Sequence, residues 1–252
     1  MASSVDDGKE KYRSFLYDEG EKNTTWRFGE PPTYDVVNKL FEEGKTKVWP
    51  PGSLEEMVQK LVKTWEMEIF HKARVEDFKI IDPSFTYSLN AKLYGKFELE
   101  TSSTGRKALS LNEVAKLGGG YNPHLQTSLP EHLRIYNPAE ESSDSSHRAF
   151  TTTFPRGFAL EILQVYCGPP EIVFKFRHWG FMEGPFKGHA PTGEMIELFG
   201  IAVLEVNENK KIVKVEFFYD RGELLGKLVK GERLDTNDGE VASSCPILKN
   251  TG

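Results

Sequence analysis

The sequence predicts an α+β domain, and three observations lead there. Capped, helix-periodic stretches fill the first half of the chain, while three long extended segments, 171–179, 194–206 and 211–220, come near its end. Elements segregated in this way suit α+β better than the alternating pattern of a parallel α/β sheet. There is no internal repeat, and 252 residues with 38% hydrophobic content can bury one full core and still carry extensions.

Residues 1–32 read as an irregular arm, polar and ending in Glu30-Pro31-Pro32. Phe15, Leu16, Tyr17, Trp26 and Phe28 are too many apolar groups for a free tail, so part of the arm is expected on the main domain. Thr33 is expected to cap a short helix, TYDVVNKLFEE, which Gly44 stops. A longer helix, over 53–73, starts at Ser53, where SLEE is a capping box with Glu56 three residues on. Leu54, Val58, Leu61, Trp65 and Ile69 follow at helical spacing and form its buried stripe, and Lys60, Lys63 and Lys72 belong to its other faces. From Asp77 the pattern is extended: FKIIDPSFTYSLN, with Pro83 marking an interruption or edge, then the alternating AKLYGKFELE. Residues 101–150 hold most of the turn residues and read as a long insertion within one domain. They contain one short helix, SLNEVAKL, capped by Ser110 and Glu113 and stopped by Gly118-Gly119-Gly120. A third helix is expected over about 155–166, with Pro155 in its first turn and Gly168-Pro169-Pro170 at its end. The main domain thus spans 33–228, and 229–252 forms a loose polar tail.

The last two extended segments are joined by the hairpin turn NENK. With Val206 opposite Lys211, Ala202 faces Val215, Gly200 faces Phe217 and Leu198 faces Tyr219. Opposed residues share a side of the sheet, so this inner face sets two very small residues, Gly200 and Ala202, beside large ones. The volume left open serves either a ligand cavity or the close approach of a helix. The outer face carries Phe199, Ile201, Val203, Ile212 and Phe218, and a face this apolar calls for a cover: the aromatic arm or a second subunit.

The segment EIVFKFRHWG, 171–180, puts Ile172, Phe174, Phe176 and His178 on one face and Lys175 and Arg177 on the other. The Phe-Phe-His face is therefore the buried one. The inner faces of the three extended segments are expected to line one cavity, roofed by the helices at 53–73 and 155–166. Its candidate lining is Trp65, Phe174, Phe176, Leu198, Gly200, Ala202, Val215 and Phe217. His178 is the candidate catalytic base, since a pocket holds an imidazole neutral; the alternative is a core histidine bonded to backbone. Tyr219 faces inward and either donates to a ligand oxygen, as a candidate acid, or caps the core. Trp65 serves the core or a pocket wall. His178 and His189 do not make a metal spacing, Gly118-Gly119-Gly120 lacks the Lys-Ser/Thr of a phosphate loop, and no Ser or Cys nucleophile signature is present. No metal and no cofactor are called for.

The net charge of −6 argues against a nucleic-acid binder, and no apolar run approaches the length of a membrane span. The opening MASSVDDGKEKYR lacks the apolar core of a secretory signal, and Cys167 and Cys245 make no disulfide framework. A cytoplasmic protein with reduced thiols is expected.

The run FKFRHWGFMEGPFKGHAPTGEMIELFGIAVLEVNENKKIVKVEFFYDRGELLGKL resembles the SnoaL-like branch of the nuclear-transport-factor-2-like superfamily. The matching features are the Gly184–Gly193 link, the Gly-containing strand, the KIV strand and the Asp220-Leu224-Leu225 close. More narrowly, RGFALEILQVYCGPPEIVFKFRHWG is similar to the plant pathogen-related proteins, as is the stretch 10–95. The resemblance implies a curved antiparallel or mixed sheet wrapped by about three helices into a cone with a central pocket, a cystatin-like α+β roll. It also implies dimerisation through the sheet. In the SnoaL-like cyclases a His and an Asp two residues apart face inward on the last strand. Here those positions hold Val215 and Phe217, so that acid–base pair is missing. Two functional readings follow. One is a binding protein of plant defence or specialised metabolism that holds an apolar small molecule and assists partner enzymes. The other is a cofactor-independent isomerase, cyclase or dehydratase with His178 as base and Tyr219 as acid. A carboxylate or second histidine within ~3 Å of His178 would favour the second.

Overall fold

The computed structural model describes residues 10–90, 108–117 and 120–234. The expected alternation over 91–100, the glycines at 118 and 119, Cys245 and the polar tail beyond 234 lie outside the described residues. The architecture is the expected α+β: an open six-stranded mixed sheet with five α-helices among the described residues. Strands β1 (Ile81–Leu89), β2 (Leu109–Ser110), β3 (Ala159–Cys167), β4 (Glu171–Phe181), β5 (Met195–Val206) and β6 (Ile212–Tyr219) are ordered β2-β1-β6-β5-β4-β3. Only β1 and β6 run parallel; the other neighbours are antiparallel.

Helix α1 (Asp35–Gly44) begins one residue later than expected. Its N-cap is Tyr34, which makes no side-chain cap, so Thr33 does not cap it. Helix α2 (Leu54–His71) starts at Ser53, whose hydroxyl accepts from Glu56 N. The expected reciprocal bond is displaced by one residue: Glu56 Oε2 accepts from Gly52 N at 2.7 Å. Helix α3 (Leu111–Lys116) carries the full capping box of Ser110 and Glu113. Helices α4 (Ser143–Thr153) and α5 (Arg221–Leu228) complete the set, with Asp220 capping α5 through Gly222 N.

Two expectations are corrected here. Residues 155–166 are not a helix; they give the strand β3 instead. Ala159, Leu160, Glu161 and Ile162 are all buried, so the first half of the strand has no solvent face and shows no strand period in the sequence, while Gln164, Tyr166 and Cys167 beyond it are exposed. One face meets α2, where the buried Gln59 amide donates to Leu160 O and accepts from Ile162 N. On the other, the Glu161 carboxylate accepts from Thr46 N and Lys47 N at 2.5 and 2.6 Å. The missing helix is α4, in a run of Ser, Asp and Thr that read as loop because those side chains compete for backbone bonds. A reciprocal Ser142–Ser145 cap and the burial of His147, Phe150 and Thr153 override that preference.

The hairpin register is also corrected. Val206 pairs with Ile212, Val213 bulges, and Glu205 then pairs with Lys214, so that Ala202 faces Phe217 and Gly200 faces Tyr219. From Lys214 on the slip is two residues, one full strand period, and the side chains keep their faces. Before the bulge it is one residue, so Ile212, expected on the outer face, lies opposite Val206 on the inner face and is fully buried in the core.

The arm does not cover the outer sheet face. Tyr12 and Leu16 pack with Tyr34, Val37, Leu40, Phe41 and Met67 around Trp179. Farther along, Lys72 Nζ meets Glu21 Oε1 at 2.8 Å, Glu68 Oε1 at 2.9 Å and Asp77 O at 2.9 Å. Glu68 also accepts from Lys79 N and Ile80 N. This buried knot ties the arm, the end of α2 and the entry to β1 together. Phe199 and Phe218 stay 49% and 38% exposed.

Candidate functional site

A cavity of about 110 Å³ lies between α2 and the inner sheet face. Directly opposed pairs, Phe176 with Gly200 and His178 with Leu198, put β4 and β5 side chains on one side. Six of the ten expected site residues border the cavity: Trp65, Phe176, His178, Leu198, Phe217 and Tyr219. Phe174, Ala202 and Val215 do not; they are fully buried in the core beneath it. Gly200 does not border it either. A Cβ there would lie 2.4 Å from Phe176 Cζ, so the glycine makes room for that ring, and the ring forms the wall. Of the expected roof, α2 is present. The place assigned to a helix at 155–166 is shared by Phe158 and Leu160 of the β3 region, by the 121–125 segment with Tyr121 and His124, and by His147 of α4.

The sequence reading missed Glu66. It falls four residues after Val62 and eight after Val58, which places it on the buried side of α2 beside Trp65. Its Oε1 lies 3.6 Å from His178 Nε2. That is longer than a hydrogen bond and beyond the ~3 Å set as the mark of a catalytic pair. Both side chains keep some exposure, 24% for Glu66 and 17% for His178, and both border the cavity. Burial raises the Glu66 pKa to about 7 against the opposing pull of Arg13 and Lys63. Burial, aided by His124, lowers that of His178 to about 3. Near neutrality the imidazole is uncharged, and burial favours the protonated form of the carboxyl. Phe158 stacks on His178 at 5.2 Å and 11°, and Phe176 meets it edge-on at 5.7 Å.

Tyr219, the expected acid, donates its hydroxyl to His124 O at 2.6 Å and thereby helps hold the 121–125 segment on the sheet. The His124 ring stands 3.0 Å from the Tyr87 hydroxyl, and burial lowers its pKa to about 4. His147, stacked on Phe28 at 4.7 Å, is lowered likewise. Lys63 is buried over the Phe41 ring at 3.5 Å, and its pKa is pushed well below the usual lysine range by burial and then by Arg13. A second cavity of about 80 Å³ borders the same Trp65 and His124. Among the described residues no group of three His, Cys, Asp or Glu side chains is disposed to hold a metal ion.

The chain is 50% identical over 249 residues to the pathogen-related protein of Hordeum vulgare, a match covering 98% of each chain. It belongs to the pathogen-related protein family. No family model matches it. Among solved structures it is similar to a candidate SnoaL-like polyketide cyclase from a Jannaschia species (13% identity, 61% of this chain and 76% of that one, TM-score 0.34). It is also similar to a candidate polyketide cyclase from Acidithiobacillus ferrooxidans (12% identity, 73% and 100%, TM-score 0.39). Likenesses of this strength carry no functional residue across to members of the pathogen-related protein family. No helix among the described residues is long and apolar enough to cross a membrane.

Proposed function

We propose that this protein binds a small molecule with an apolar body and one polar end, and that the cavity beneath α2 is where it binds. The composition of the wall supports this reading. Aromatic and aliphatic side chains make up most of the wall, the partly open Glu66 and His178 stand together within it, and Arg13, Lys63, His71, His124 and His147 also border it. A few converging polar groups in an apolar concavity are the usual makeup of a ligand site. The name of the barley relative suggests a place in a plant's response to pathogens. The ligand in this proposal is a defence or specialised metabolite, bound in the cytoplasm and passed to partner enzymes. Purified protein equilibrated with plant metabolite extract, washed and read by mass spectrometry should retain a small set of apolar compounds. Leu198→Trp, which fills the cavity, should retain none of them. Retention of the same set by the Trp variant would place the ligand elsewhere.

The open sheet face belongs to the same proposal: a second copy of this chain is its cover. Light scattering should give twice the chain mass, and Phe199→Lys should halve it. A monomer before substitution would sink the idea.

A further inference from the structure

We propose that Lys63 is a reactive amine that captures an apolar aldehyde in the cavity as an imine. This rests on the binding reading above and names the class of ligand and how it is held. The sequence sets Lys60, Lys63 and Lys72 on the polar faces of α2 and its end, and the structure separates them. Lys60 meets Glu56 at 3.0 Å at the surface, and Lys72 shares Glu21 and Glu68 in its buried knot. Lys63 is 1% exposed and borders the cavity beside Val62 and Glu66. Among the described residues it makes no ion pair and no hydrogen bond. Its Nζ lies instead against aromatic rings, with the Phe41 centroid at 3.5 Å and the Tyr12 centroid at 4.8 Å. A ring face accepts an N–H from an amine as it does from an ammonium, and it leaves the nitrogen lone pair unclaimed.

A buried cation without a counter-ion sheds its proton. The charged and titratable groups that act on Lys63 are Arg13 and Glu10 from the arm, Glu42 on α1, Glu66 on α2 and His178 on β4. Burial and Arg13 outweigh the three carboxylates and hold the amine well below the usual lysine range. A lysine desolvated in an apolar pocket beside another cation is the activated form of this nucleophile. Its lone pair bonds to the carbonyl carbon as the C=O π pair moves to oxygen. Nitrogen passes one proton to that oxygen, which gives the carbinolamine. The hydroxyl then leaves with the second N–H proton as water, and the nitrogen pair closes the C=N bond. One water is released, and no oxidant or reductant is required. Hydrolysis runs the same steps backwards and frees the aldehyde. An aldehyde suits the place better than a ketone, since its carbon bears a hydrogen and crowds the Phe41 ring less. Val62, Trp65 and Leu160 supply apolar wall for its body.

The test incubates the full chain with benzaldehyde and cyanoborohydride at pH 7 and reads peptide maps by mass spectrometry. Reduction fixes the imine as a secondary amine, heavier by the aldehyde less its oxygen. An ordinary lysine is unprotonated at pH 7 to about one part in 2,500, so Lys63 should carry at least about tenfold more label than any other lysine. Unfolding in urea should erase that preference. Lys63→Met, which keeps the length of the side chain, should lose the label. Benzyl alcohol, which forms no imine, reads cavity binding by saturation-transfer NMR, and Lys63→Met should hold it within about threefold of the natural protein. Benzyl alcohol that binds while Lys63 is labelled no more than the surface lysines overturns the capture and leaves the binding reading standing. Label at Lys63 that persists in full in Leu198→Trp places the reaction outside the cavity and overturns the capture as well. Absence of both alcohol binding and Lys63 label overturns both readings.

Discussion

Replacing Gly200 with alanine should shut the cavity from within. The new Cβ would stand 2.4 Å from Phe176 Cζ, 2.7 Å from its Cε1 and 2.8 Å from Phe218 O, where ordinary contact begins at 3.4 Å. The ring must therefore retreat by 3.4 less 2.4, about 1 Å. Phe174 and Phe217 flank it at 6.4 and 5.7 Å, and the open space available is the cavity that it borders. The carbonyl of Phe218 cannot yield without moving β6. Overpacking of this kind costs about 1–3 kcal/mol, and each kcal/mol lowers Tm by roughly 2–4 °C in a chain of this size. Calorimetric melting should show that loss, and metabolite retention should fall with it. Phe176→Leu in the same background should restore stability, because the two side chains share one volume. A Gly200→Ala protein that melts within about 1 °C of the natural one and retains the same metabolites would refute the reasoning.

Lys72→Met should destabilise the protein by about 3–5 kcal/mol in urea melts, because Glu21 and Glu68 would lose the cation that both share in a buried site. His124, His147 and His178 are held near 4, 4 and 3, below the ordinary value of about 6.5. The unfolded chain then binds more protons below pH 6.5, so stability should be fully present above that pH and fall as pH drops toward about 4. His147→Phe should flatten part of that fall in melts taken across the range. Glu66 works the other way: its raised pKa makes stability decline as pH rises through about 7, and Glu66→Gln should remove that decline. His124→Ala removes a ring that borders both cavities, so affinity along a series of n-alkyl ketones should shift toward the longer members, measured by calorimetry.

Where one side of an element meets water, its pattern was readable from the residues. Strands β4, β5 and β6 sort Lys175, Glu205 and Lys214 away from Phe174, Ala202 and Phe217, and that alternation located the strands and their inner faces. The slip did no harm to the faces beyond Val213 because a strand repeats every two residues, whereas the bulge itself turned Ile212 inward. Ser53 and Ser110 marked the starts of α2 and α3 because capping is a local bond, made within three residues. Local pattern failed where packing on both sides erased the contrast, as in the first half of β3, and where distant burial supplied the stability, as in α4. It also failed for Glu66, since a carboxylate near the buried stripe of a helix looks like a solvated charge until its surroundings are known. The destination of the arm and the approach of Glu66 to His178 depend on residues far apart in the chain brought together by packing. Such contacts leave no periodic trace along the sequence, so the tertiary structure alone decided them.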